Sequence, residues 1–272
     1  MAVGSSLLQR ILGRPGPDEG LRVSRAPPGL VIYVIGDIHG RADLLHALLR
    51  QIAIDAARYE TDLAREVIFI GDYIDRGPDS RQTVDLVLST IGEKRFWDVT
   101  VLKGNHEEAM LRFMRDPSYW PIWSQYGARE TLLSYGVTPP RMIGDQQEWA
   151  DLRARFEAAV PPDHWDFFHN LDLAAERGDY LCVHAGVRPN VPLDQQTEDD
   201  LLWIRNDFLN KEHVFDKVIV HGHTPGQPFV GPHRIALDTG AYVSGILTAI
   251  KLKGTERTLM QAQDHDSPAA PA

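Results

Sequence analysis

The sequence predicts a mixed α/β fold of the α+β kind: layered sheets flanked by helices, with a helical lobe inserted midway. Three observations carry this. Short runs of β-branched and aliphatic residues recur along the chain, and each is followed at once by Asp, Asn or His. Between the first three runs the apolar residues fall at helical spacing, giving a β-α-β-α-β order. Residues 108–179 then change character, being rich in helix formers and aromatics and broken by prolines.

At 272 residues the chain can bury a full core without covalent staples. Cys182 is its only cysteine, so no internal disulfide forms, and that usage fits a reducing cytosol. No run approaches the roughly 18 apolar residues of a membrane span, and the N-terminus lacks a secretory pattern. A soluble, cytoplasmic protein with no membrane partner is expected. The formal net charge of −10 argues against a nucleic-acid partner, because phosphate backbones demand clustered Lys and Arg. An acidic protein can still take a phosphate ester if bound divalent cations invert the local sign.

Taken in order, residues 1–29 read as a flexible tail and linker, with Leu7, Leu8, Ile11 and Leu12 spaced as in a short docking helix. A catalytic domain follows over residues 30–254. Its first strand, Val31 to Ile35, leads into Gly36-Asp37-Ile38-His39-Gly40, and a helix over 41–59 carries Leu44, Leu45, Leu48 and Ile52 on one face. The second strand, Val67 to Ile70, leads into Gly71-Asp72-Tyr73-Ile74-Asp75-Arg76-Gly77, and a helix over 79–91 follows. Val99 to Leu102 leads into Gly104-Asn105-His106-Glu107, the last motif before the helical lobe. Beyond the lobe, Tyr180 to Val183 leads into His184-Ala185-Gly186, and Val218 to Val220 into His221-Gly222-His223-Thr224. Segments 234–237 and 246–252 read as closing strands of a second sheet, and residues 255–272 as a largely disordered tail.

Five strands thus deliver polar residues at the same end. Ligand crevices in open and layered α/β folds lie beyond the carboxyl ends of strands, so the five loops can converge on one site. Asp37, His39, Asp72, Asn105, His184 and His223 offer the nitrogen and oxygen donors that two closely spaced metal ions need, one of them a carboxylate able to bridge. With no thiolate among them, manganese is the first expectation, with iron or zinc as alternatives.

The ordered set resembles the signature of the calcineurin-like metallophosphoesterases, nearest to the phosphoprotein phosphatase branch that includes small bacterial and phage serine/threonine phosphatases. The resemblance covers about residues 31–253. It implies a layered β-sandwich flanked by helices and two divalent metals, with Asp72 as the bridge. Asp37 and His39 would complete one metal, and Asn105, His184 and His223 the other. It further implies a metal-activated hydroxide attacking phosphorus in line. Arg76 and Arg205 would hold phosphate oxygens, the latter within Trp203-Ile204-Arg205, and His106 would act as general acid with its imidazole held by Asp75.

Several alternatives stand beside these. His221 and His223 point the same way on an extended segment, so either could reach a metal; the family resemblance implies His223 as the ligand, with His221 left to its surroundings. Asp238 either orients a ligand or ends a strand as a turn acid. The lobe aromatics are expected to be packing. Cys182 to Arg188 fits the Cys-x5-Arg spacing of cysteine-dependent phosphatases, yet an apolar strand would keep that thiol protonated. The leading functional reading is a metal-dependent serine/threonine protein phosphatase, acting on phosphorylated protein or small phosphate esters. The alternative is a dinucleoside polyphosphate hydrolase of the diadenosine tetraphosphate type, or another nucleotide or polyphosphate hydrolase, with the same site. Asp75 tilts the choice toward phosphoproteins, because the dinucleotide enzymes usually lack that acid. A non-catalytic scaffold would be expected to miss a ligand, and none is missing.

Overall fold

Side chains of β1 (Leu30–Ile35) alternate between two cores. Val31, Tyr33 and Ile35 pack toward helices, whereas Ile32 and Val34 pack toward a second sheet, as the two-residue period of a doubly buried strand requires. The computed structural model describes residues 24–58, 63–93, 97–140, 144–210 and 215–264. Within them the chain continues through α1 (Ala42–Ala56), β2 (Ala64–Phe69), α2 (Ser80–Gly92) and β3 (Asp98–Val101), the order expected. The three strands pair in parallel, with Ile35 opposite Phe69 and Phe69 opposite Val101, so their carboxyl ends finish level. Leu44, Leu45, Leu48 and Ile52 give α1 one buried face against this sheet.

Next come α3 (Asn105–Arg115), α4 (Trp120–Trp123), α5 (Ala128–Ser134), α6 (Gln146–Ala159) and α7 (Pro162–His169). Phe113, Trp120, Trp123, Phe156 and Phe168 share the core that holds Val31, Tyr33 and Ile35, so most of the large aromatics here are packing. The helical region is displaced from 108–179, opening at Asn105. It stops at His169, and Ala174–Arg177 is already a strand, β4. Its Ala-Ala-Glu-Arg sequence buries only Ala175, too little apolar contrast to read as a strand.

β4 (Ala174–Arg177) pairs antiparallel with β5 (Tyr180–Val183). After α8 (Glu198–Trp203) and α9 (Asn206–Leu209) come β6 (Val218–His221), β7 (Phe229–Val230) and β8 (Arg234–Ala236), completing a sheet of order β4-β5-β6-β8-β7. After α10 (Ala241–Ser244), β9 (Ile246–Lys253) and β10 (Glu256–Gln263) return to the first sheet, giving β10-β9-β1-β2-β3. The molecule is therefore mixed α/β, with two mixed sheets flanked by helices.

Three expectations are corrected here. Ile246–Lys253 joins the first sheet, antiparallel to β1 with Val34 opposite Ile250, rather than the second; its apolar residues suit either sheet, and pattern alone does not choose. The segment from 256 to 263 is β10, not tail. It is an edge strand in which only Ala262 is buried, and a two-residue loop with Gly254 at φ 54° joins it to β9. Ala26 is likewise buried, and its N–H bonds Gly254 O at 2.8 Å, so residues 24–29 are bound to the domain. The docking-helix reading of Leu7 to Leu12 and the remaining tail residues lie outside the described residues.

Ile32, Val34, Ile68 and Ile70 of the first sheet meet Tyr180, Cys182, Val218 and Val220 of the second, forming the sandwich interior. The strand ends meet at one rim. His184 Nδ1 donates to Ile70 O at 3.0 Å across the two sheets, and His223 N donates to Asp37 Oδ2 at 2.9 Å.

Candidate active site

The loops at this rim are held in costly conformations. His39, Asp72, Asp75, Arg76 and His223 have φ of 49°, 55°, 70°, 68° and 66°. Left-handed backbone costs a residue with a side chain on the order of 1–3 kcal/mol, and such strain gathers at functional sites. Among the described residues only Asn190 shares this conformation without a glycine's freedom. The strands also approach too closely for side chains at Gly71 and Gly222. A Cβ on Gly71 would lie 2.5 Å from Gly104 N, and one on Gly222 would collide with Asp37 Oδ1.

Glu107 secures the second loop. Its Oε2 accepts from Asp72 N and Gly104 N, both at 2.9 Å, and its Oε1 accepts from Tyr73 N at 2.9 Å and Ile74 N at 3.3 Å. Burial, then the neighbouring Asp72 charge, pushes its carboxyl up to about 8. The sequence carried the signal for this clamp, a Glu at the third position of a helix, where a carboxylate reaches back to free N–H groups.

Asp72 is central. His39 Nε2 lies 3.4 Å and His106 Nε2 3.8 Å from its Oδ2, while His184 Nε2 lies 3.5 Å from its Oδ1. Burial works against the Asp72 carboxylate, but the surrounding His184, His106, His39 and His223 outweigh it and hold the carboxyl below its ordinary range. Two groups of donors can hold a metal ion, His39 with Asp72 and His106, and Asp72 with His184 and His223; Asp72 belongs to both. Asn105 Oδ1 joins the second, 2.8 Å from His184 Nε2 and 2.7 Å from His223 Nδ1.

The donor set fits divalent cations. His39 and His184 each donate Nδ1–H to a carbonyl, of Ile74 at 2.9 Å and Ile70 at 3.0 Å, which leaves both Nε2 lone pairs facing the centre. Asp37 Oδ1 and His223 Nε2 are buried without a hydrogen-bond partner. Three carboxyls, Asp37, Asp72 and Asp238, are buried together. Burial first, then Asp238 and Asp72, pushes Asp37 well above its ordinary range, and burial pushes Asp238 up to about 6. Cations would relieve that crowding of acids. Asp37 stands outside both donor trios, its Oδ2 taken by His223 N–H, with Oδ1 alone open.

His106 donates Nδ1–H to Asp75 Oδ2 at 2.8 Å. Trp123 Nε1 and Thr131 Oγ1 also donate to Asp75, at 3.0 and 2.6 Å, two residues that no sequence motif marked. Burial opposes protonation of His106, but Asp72 and Asp75 prevail and its pKa is raised. Arg76 Nη1 donates to Tyr242 OH at 3.0 Å, with the guanidinium 4.9 Å from that ring's centre. Arg205 Nη1 donates to His223 O at 3.1 Å and Thr224 Oγ1 at 3.4 Å. Neither arginine pairs with a carboxylate among the described residues, although Arg41, Arg112, Arg115, Arg177 and Arg188 all do.

His221 turns away from these donors. Its ring packs on Phe208, 5.0 Å between centroids, and burial pushes its pKa down to about 3. The left-handed turn at His223 breaks the strand alternation that would have aimed the two rings alike. Cys182 faces the sandwich interior, and burial pushes its thiol up to about 12, so the Cys-x5-Arg spacing is incidental. Beside the donors lies a cleft of about 590 Å³ whose lining includes Arg112, Tyr119, Tyr126, Arg188, Trp203 and Arg205.

A family model described as calcineurin-like phosphoesterase matches residues 30–246. A bis(5'-nucleosyl)-tetraphosphatase (asymmetrical) of Oceanobacillus iheyensis is 27% identical over 244 residues, 83% of this chain and 90% of that protein. One so named from a Geobacillus species is 29% identical over 247 residues, 81% and 89% of the two chains. Among solved structures, one described as a candidate diadenosine tetraphosphatase superposes with a TM-score of 0.59 at 20% identity, covering 89% of this chain and 99% of its own. A serine/threonine phosphatase of Saccharomyces cerevisiae gives 0.52 at 16% identity, over 89% and 82%. At such identities these structures establish the shared fold. No helix among the described residues is long and apolar enough to cross a membrane.

Proposed function

The chain belongs to the calcineurin-like phosphoesterase family and is a phosphoester hydrolase, and within that family we propose that it hydrolyses dinucleoside polyphosphates into two unequal nucleotides. This revises the leading expectation from sequence, a serine/threonine protein phosphatase, in favour of its alternative. The observation that carries the revision is the likeness to tetraphosphatases over nearly their full length. Asp75 had tilted the reading the other way. Its carboxylate is spent on His106, Trp123 and Thr131, a task that serves proton donation to any leaving oxygen and does not select a protein substrate.

In this reading Asp37, His39, Asp72, Asn105, His184 and His223 hold two divalent cations. When bound, these supply Lewis acidity and an activated water. Arg76 and Arg205, which have no carboxylate partner among the described residues, take the phosphate oxygens. Hydrolysis places the oxygen of water on one phosphorus and breaks the bridging P–O bond. His106, oriented by Asp75, gives a proton to the departing bridging oxygen.

The test compares diadenosine tetraphosphate with phosphoserine peptides on the Mn²⁺-loaded protein. Preferred turnover of the dinucleotide to AMP and ATP is expected, abolished by chelation and restored by metal. Preference for the phosphopeptides would return the assignment to a protein phosphatase.

A further inference from the structure

We propose that the cleft beside Arg205 seats one nucleoside of the substrate, with its base against Tyr119, Tyr126 and Trp203. The inference rests on the dinucleotide reading above and adds to it the residues that recognise the nucleoside. Phe113, Trp120, Trp123 and Phe156 are buried in the helical core, but Tyr119, Tyr126 and Trp203 are only half-buried and line this one cleft. Its volume of about 590 Å³ lies within the range of small-molecule sites, which combine apolar walls with a few placed polar groups. Aromatic faces stack any nucleobase.

The cleft is continuous with the reacting centre. The Tyr126 ring lies 5.6 Å from that of His106 and 5.6 Å from that of Trp203, and Trp203 lies 6.4 Å from His223. Charge is graded along it. Arg112 pairs with Glu108 and with Asp199 of the cleft wall, and Arg188 with Asp200 and with Asp207 of that wall, so these outer cations are matched by carboxylates and the outer part suits an uncharged sugar and base. Arg205, at the inner end beside His223, donates to His223 O and Thr224 Oγ1 and is available to a phosphate. A nucleoside 5'-phosphate has this same polarity, neutral at one end and anionic at the other.

Tyr119→Ala tests the site, because Tyr119 touches none of the donors. The ratio of kcat/KM for diadenosine tetraphosphate to that for inorganic tripolyphosphate, which has no base, is expected to fall about tenfold or more, chiefly through KM. Tyr119→Phe should restore it. Saturation transfer from protein to the base protons of adenosine, measured by NMR without metal, is expected for the parent protein and lost in Tyr119→Ala. An unchanged ratio, or equal transfer in parent and variant, overturns the proposal, as does a loss confined to phosphopeptide turnover. If the parent protein does not cleave the dinucleotide, the reading of function falls, and adenosine transfer alone decides this site.

Discussion

Asp75 and His106 form a sealed pair: the carboxylate accepts from the imidazole at 2.8 Å, and both side chains are buried. Two further donors fix the acid, so the ring has one orientation. His106→Asn is therefore expected to slow the chemical step by about 10²-fold or more for alkyl phosphates, whose leaving oxygen needs the proton. The loss should be smaller for a polyphosphate, whose leaving group is a weaker base. Single-turnover rates on both substrates check this, and equal losses would count against proton donation by His106.

Glu107 gathers four backbone N–H groups around the turn that presents Asp72. Glu107→Gln sets an amide donor against some of them, leaving buried N–H groups unsatisfied. A stability loss of about 2–3 kcal/mol is expected, with metal affinity falling roughly 10–100-fold as Asp72 loses its support. Denaturant melts and metal titrations measure the two effects separately.

Asp55 offers a pH signature remote from the site. Burial raises its carboxyl, but Tyr33 and Lys251 outweigh that and hold it below the ordinary value. A depressed folded pKa stabilises the protein above the unfolded pKa of about 3.9, and the benefit is lost as pH falls through the folded value. The melting temperature of Asp55→Asn should lie below that of the parent at neutral pH, and the gap should close below about pH 4. A gap constant with pH would contradict the assignment.

Thiol reagents should leave activity intact in the folded protein. Cys182 is 1% exposed and its thiol is pushed up to about 12. Cys182→Ser should keep turnover within about twofold while costing about 1–3 kcal/mol for a buried hydroxyl. Inactivation by alkylation that precedes unfolding would oppose this.

The sequence by itself determined the parallel order of β1, β2 and β3, the convergence of five strand ends, and the residue types gathered there. Those features are local, since alternation, helical spacing and a polar residue closing an apolar run are all written in neighbouring positions. It also marked Arg76 and Arg205 within their motifs. Tertiary structure decided what depends on distant partners. β9 chose the first sheet over the second, and β10 formed at an edge too polar to announce itself. Trp123, Thr131 and Tyr242 reached Asp75 and Arg76 from 48, 56 and 166 residues away, separations at which no periodicity carries information. His221 was turned from the site by a single left-handed residue two positions on. The cleft likewise joins Tyr119 and Tyr126 to Trp203 and Arg205, parts of the chain that only folding makes neighbours.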